Sequence, residues 1–131
     1  MSKKVMILED DEAIAELIKF YLHEEGFQVA VSTRGNGFIA KVAEYQPDLI
    51  TLDVLLPDAD GFTIFKELQK DARTRNVPVI FITVKEGEKE NGIKMGASGY
   101  IVKPFNEKEL KNTIKSVLDE EDQHGKDTHS G

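Results

Sequence analysis

Residues 48–61 read "DLITLDVLLPDADG". The apolar run Leu49, Ile50, Leu52 has the character of a buried strand, and it ends on the carboxylate of Asp53. An ionised carboxylate avoids apolar surroundings unless something compensates it. The helix before this strand stops at Pro47, and a turn rich in Pro and Asp follows it. The segment is therefore the centre of a helix–strand–helix unit, with an acid at the strand's carboxyl end.

The same alternation extends in both directions. Strands are expected at Lys4–Glu9, 27–32, 48–53, 77–83 and 99–102. Helical spacing of apolar residues is found over 11–25 (Ile14, Leu17, Ile18, Tyr21, Leu22) and 36–45 (Phe38, Ile39, Val42, Ala43). It recurs over 61–72 (Phe62, Phe65, Leu68), over 86–96 with Gly interruptions, and over 107–118 (Leu110, Ile114, Val117, Leu118). Gly26 is a C-terminal stop for the first helix. Asn106 and Glu109 have the spacing of a capping box before the last helix. Strict alternation implies an α/β fold, (βα)₅, with a parallel sheet covered on both faces. The 77–83 strand is the most continuously apolar, as a central strand should be.

The 131 residues are 40% hydrophobic and 31% charged, enough for one globular domain with a core. There is no Cys, which excludes disulfides, zinc–thiolate centres and thiol nucleophiles. Net charge is −7, and residues 119–131, "DEEDQHGKDTHSG", hold five acids against one Lys with no apolar residue. That segment is expected to be a disordered acidic tail beyond a domain of 1–118. A mildly acidic body argues against direct nucleic-acid binding. Only Val5–Leu8 are apolar before acids appear, too few for a signal peptide. No stretch approaches the roughly 20 apolar residues of a membrane span. A cytoplasmic location, away from membranes, is expected.

Parallel sheets bind ligands outside the carboxyl ends of their strands. Those ends carry Glu9 and Asp10 on the first strand, Asp53 on the third, Thr83 on the fourth, and Lys103 just after the fifth. Clustered carboxylates repel one another, and a hard divalent cation removes the conflict. Carboxylates, a backbone carbonyl and water are magnesium's preferred ligands. A cation, an ammonium and a hydroxyl around one carboxylate are the equipment of phosphoryl transfer. Asp53 is the candidate nucleophile, forming an aspartyl-phosphate at the mouth of the site.

Four segments, "MILEDDEAI", "LDVLLPDADG", "VPVIFIT" and "GASGYIVKPF", together resemble the receiver (CheY-like) domain of two-component response regulators over about residues 3–118. The resemblance implies a flavodoxin-like, doubly wound sheet of order 2-1-3-4-5. It implies Asp53 as phospho-acceptor and Glu9, Asp10, Asp53 and the Leu55 carbonyl as Mg²⁺ ligands, with Mn²⁺ as a substitute. It further implies Thr83 and Tyr100 as switch residues, Lys103 as the phosphoryl contact, and a cis Lys103–Pro104 bond. The domain would take its phosphoryl group from a sensor histidine kinase or phosphotransfer protein, and would catalyse only that transfer and its own slow hydrolysis. The output surface would be 86–118, acting on a protein target or an effector domain, with a homodimer through helices 4 and 5 as one form. Val84 departs from the small residue usual after the switch Thr and is expected to crowd the acceptor. An apolar Leu55 cannot orient an attacking water, so a long phosphorylated lifetime is expected.

Other readings are weaker. A haloacid-dehalogenase-like phosphohydrolase would need an acid where Leu55 stands. A flavodoxin-like electron carrier would need a Ser/Thr/Gly-rich first loop, which here is acidic. A phosphorylation-independent interaction module would lack an acceptor, acid or lysine, and none is missing. "GNGFIA", 35–40, fits a dinucleotide fingerprint in letters, but that fingerprint belongs on the first βα turn. Its glycines are expected to loosen the loop before the second helix.

Overall fold

A computed structural model describes residues 2–130, with side chains through Gln123. The elements alternate as expected: β1 Lys4–Leu8, α1 Glu12–Glu24, β2 Gln28–Ser32, α2 Phe38–Tyr45, β3 Leu49–Leu52, α3 Gly61–Lys70, β4 Val79–Thr83, α4 Lys89–Met95, β5 Gly99–Val102 and α5 Glu107–Ser130. All strand pairs are parallel, in the order β2-β1-β3-β4-β5.

Alternate residues of each strand feed two separate cores. Met6, Leu8, Ile50, Leu52 and Phe81 face α2, α3 and α4, where Phe38, Phe65 and Leu68 pack. Val5, Ile7, Leu49, Ile80 and Ile82 face α1 and α5, meeting Ile18, Leu22, Leu110 and Ile114. Apolar residues on both faces explain why the central strands lack alternation in sequence. Truncating one such side chain, Phe81→Ala for instance, costs about 3–5 kcal/mol.

Local signals place the helix ends. Asp11 caps α1, accepting from the Ala13 and Ile14 amides. Gly26 ends it with φ +87°, a left-handed turn that glycine adopts without strain. Asn106 caps α5 by accepting from the Glu109 amide at 2.8 Å.

Three expectations are corrected. Ala15, not Leu17, completes the buried stripe of α1, and Leu17 is exposed; a small residue fits the close approach of helix and sheet. The 86–96 segment opens as a 3₁₀ turn, Glu86–Glu88, before α4 begins. The last helix does not stop at Leu118 but runs to Ser130. The apolar stripe ends at 118 because the core ends there, while the acidic residues beyond it remain compatible with helix. Lys3 reaches Asp122 at 3.1 Å on this extension. The disorder expected for 119–131 concerns in part side chains from 124 onward, and Gly131, that lie outside the described residues.

Candidate functional site

The chain crosses from one side of the sheet to the other between β1 and β3, and ligands of such folds sit where those strands end. Glu9 and Asp10 follow β1 there and Asp53 follows β3. One carboxylate oxygen from each of the three lies within 4.8 Å of the others. Thr83 ends β4, next to β3, and is fully buried. Lys103 follows β5, and its ammonium lies 2.6 Å from Glu9 Oε1 and 2.8 Å from Asp53 Oδ2.

Asp53, expected at the mouth, is only 5% exposed, and Glu9 only 2%. Asp10 is the exposed member of the trio. Asp53 Oδ1 accepts from the Leu55 amide at 3.0 Å, which fixes the carboxylate's orientation. Glu9 Oε2 accepts from the Asp11 amide at 3.2 Å.

The charge balance in this recess is incomplete. Burial pushes Glu9 up to about 7, against the opposing hydrogen bonds from Lys103 and the Asp11 amide. Burial also works against the Lys103 ammonium, yet hydrogen bonds to Asp53 and Glu9 prevail and hold it above its ordinary value. One lysine shared by two buried carboxylates leaves negative charge over. A hard dication among these oxygens fits that excess and the donor chemistry.

Residues around the cluster shape it. Tyr100 is buried against Phe81, with ring centroids 5.8 Å apart, and its hydroxyl donates to the Lys85 carbonyl. The Lys103–Pro104 peptide is cis. Leu55 and Val84 are exposed at 46% and 57%. Val84 lines an apolar groove with Ile14, Leu17, Pro104 and Phe105 beside Lys103.

Sequence reasoning passed over Gly61. A Cβ there would stand 2.2 Å from the Asp53 carbonyl oxygen. The α3 terminus therefore lies directly behind the acidic cluster, with the Gly61 amide donating to the Val54 carbonyl at 2.8 Å. The signal was present in "DADG", since Asp60 is the α3 cap. Gly92, one of the glycines expected to cap or interrupt the 86–96 helix, lies within α4 and is buried against the Tyr100 ring.

Comparison with known proteins agrees with this geometry. The response regulator receiver domain profile matches residues 5–115. The phosphate regulon transcriptional regulatory protein PhoB of Escherichia coli (strain K12) is 36% identical over 121 residues, covering 90% of this chain and 52% of that protein. The chain thus spans about half the length of the curated relatives it matches. The CheY-like response regulator receiver domain protein of Methanospirillum hungatei JF-1 superposes with TM-score 0.86 at 28% identity, over 95% of this chain and 99% of that one. The receiver domain of sensor histidine kinase PA1611 from Pseudomonas aeruginosa PAO1 superposes with TM-score 0.81 at 25% identity, over 90% and 98% of the two chains. That structure has a magnesium ion coordinated in its active-site cleft. With the profile matched across nearly all of the folded region, this chain belongs to the response regulator receiver domain family.

Proposed function

We propose that Asp53 accepts a phosphoryl group from the phosphohistidine of a histidine kinase or phosphotransfer protein. The carrying observation is the pairing of a buried Asp53 with Lys103 beside Glu9 and Asp10. An Asp53 oxygen attacks phosphorus, the P–N bond breaks, and the freed imidazole nitrogen takes a proton. Receiver domains are signalling modules rather than classical enzymes, and here the chemistry ends on the protein itself.

Mg²⁺ held by Glu9, Asp10, Asp53 and the Leu55 carbonyl would neutralise phosphoryl oxygens, and Mn²⁺ shares the preference for such ligands. The chain's own groups do the rest. The Lys103 ammonium is already on Asp53 and needs only a short shift to meet a phosphoryl oxygen. Thr83 donates its hydroxyl to another. Tyr100 follows through the 84–88 loop, which biases an existing equilibrium of the α4–β5–α5 surface. That surface acts on a protein target or a further domain, or pairs with a second copy. Residues 1–118 form the signalling domain, with 119–131 as an acidic extension, and a cytoplasmic setting suits a kinase partner. No helix among the described residues is long and apolar enough to cross a membrane. Self-hydrolysis is slow, because the apolar Leu55 at the rim offers no group to orient water.

Incubation with Mg²⁺ and acetyl phosphate tests this. The expected product carries a single acid-stable, base-labile phosphoryl group, absent in Asp53→Asn. Many turnovers of the donor without a stable adduct would instead indicate a phosphohydrolase.

A further inference from the structure

The loop that supplies Leu55 is fastened at two levels. Its base is closed by a bridge between Leu55 and Asp60 and by the Gly61 amide on the Val54 carbonyl. Its tip carries Asp58, whose two carboxylate oxygens reach a different part of the chain. Oδ1 accepts from the Gly35 amide at 2.8 Å, and Oδ2 from the Asn36 amide at 2.9 Å. Those two N–H groups hold the Asp58 carboxyl below the usual carboxylate range. A carboxylate bound by two consecutive amides is both charge-assisted and geometrically selective.

Gly35 is part of the same contact. A Cβ there would stand 2.6 Å from Ile64 Cδ1 and 2.9 Å from Ala59 Cβ. Ile64 could swing its terminal methyl away, whereas Ala59 could yield only by moving the loop. "GNGFIA" therefore owes its first glycine to the close approach of two loops.

We propose that Asp58 is a positioning residue for the cation site: its carboxylate straps the 54–60 loop to the Gly35–Asn36 turn and so holds the Leu55 carbonyl in place for a divalent ion. This rests on the reading of Leu55 as a metal ligand given above. The strap acts on the ligand loop without touching the ion. Groups that orient metal ligands in this way typically change affinity by 10–100-fold when removed.

The full chain contains no Trp, so Mg²⁺ binding is followed by calorimetry and by amide NMR. Four variants are compared with the parent: Asp58→Ala, Asp58→Asn, Gly35→Ala and Asp71→Ala. Asp71→Ala removes one negative charge at the far end of α3, together with its ion pair to Arg73, and controls for the loss of a carboxylate elsewhere on the chain. Asp58→Ala is expected to weaken Mg²⁺ binding about tenfold. Asp58→Asn keeps one acceptor oxygen and should weaken it less. Gly35→Ala leaves the charge unchanged and should still weaken it. Hydrogen exchange at the Gly35, Asn36 and Leu55 amides should speed up in Asp58→Ala. If Asp58→Ala fails to fold, the Asn and Gly35 variants decide.

Mg²⁺ binding by the parent with no change in Gly35→Ala, and equal losses in Asp58→Ala and Asp71→Ala, overturns the strap and leaves the functional reading standing. A parent that does not bind Mg²⁺ overturns both.

Discussion

Thr83 and Tyr100 are joined through the backbone of one residue. The Lys85 amide donates to Thr83 Oγ1 at 3.4 Å, and the Lys85 carbonyl accepts from the Tyr100 hydroxyl. In the proposed switch, a Thr83 hydroxyl drawn toward a phosphoryl group would pull on this contact with the Lys85 amide. The same residue would then present a changed anchor to the tyrosine. Two groups on the neighbouring strands β4 and β5 thereby share one mechanical element.

The seat behind Tyr100 makes this testable. A Cβ on Gly92 would stand 3.0 Å from Tyr100 Cδ2 and 3.4 Å from Phe81 Cδ2. Ala favours a helix interior over Gly by up to about 1 kcal/mol, so Gly92→Ala strengthens α4 while crowding the ring. NMR should show weaker Tyr100–Phe81 contacts with undiminished amide protection in α4. Unaltered ring contacts would mean the seat has slack and does not set the tyrosine's position.

Lys103 is the cation that two buried acids share, and removing it leaves them facing each other. In Lys103→Met, stability without metal should fall by about 3 kcal/mol, the typical cost of breaking a buried pair. Mg²⁺ should raise the variant's melting temperature more than the parent's, because the ion no longer competes with an ammonium. A variant equally stable in EDTA and in Mg²⁺ would contradict the charge balance drawn for the site.

Glu9 couples the site to pH. In the metal-free protein burial raises it from 4.5 to about 7, so the folded chain holds its proton more tightly than the unfolded chain does. Its contribution to stability is fully present below about pH 4.5 and is lost as pH rises through about 7. Metal binding through Glu9 would run the other way, since a carboxylate ligand must be ionised. Near pH 6.5, roughly, Mg²⁺ binding should release protons, and Glu9→Gln should remove that release. Calorimetry in buffers of different ionisation enthalpy measures it directly; binding heats independent of the buffer would refute the assignment.

Thr51 carries a buried hydroxyl with no hydrogen-bond partner among the described residues. It sits in β3 between Ile7 and Ile80 of the neighbouring strands. Replacing an unsatisfied buried polar group by an isosteric apolar one removes a desolvation cost of about 1–3 kcal/mol. Thr51→Val should therefore shift the urea midpoint upward or leave it unchanged. A clear drop would reveal a partner for the hydroxyl.

The sequence by itself determined the order of the elements. Apolar periodicity is local, and punctuation such as Gly26, Pro47 and Asn106 acts on its own neighbours. It also named the chemistry at the strand ends, because parallel connection brings those ends to one rim regardless of side-chain detail. The end of α5 was not legible, since the apolar stripe stops with the core at Leu118 while the helix need not. Nor was the depth of Asp53, which depends on how Lys103 and Glu9 fold over it. The roles of Gly35, Gly61 and Gly92 were hidden for the same reason. Each is defined by an atom from another element or loop — Ala59, the Asp53 carbonyl, the Tyr100 ring — and only tertiary packing brings such atoms within contact.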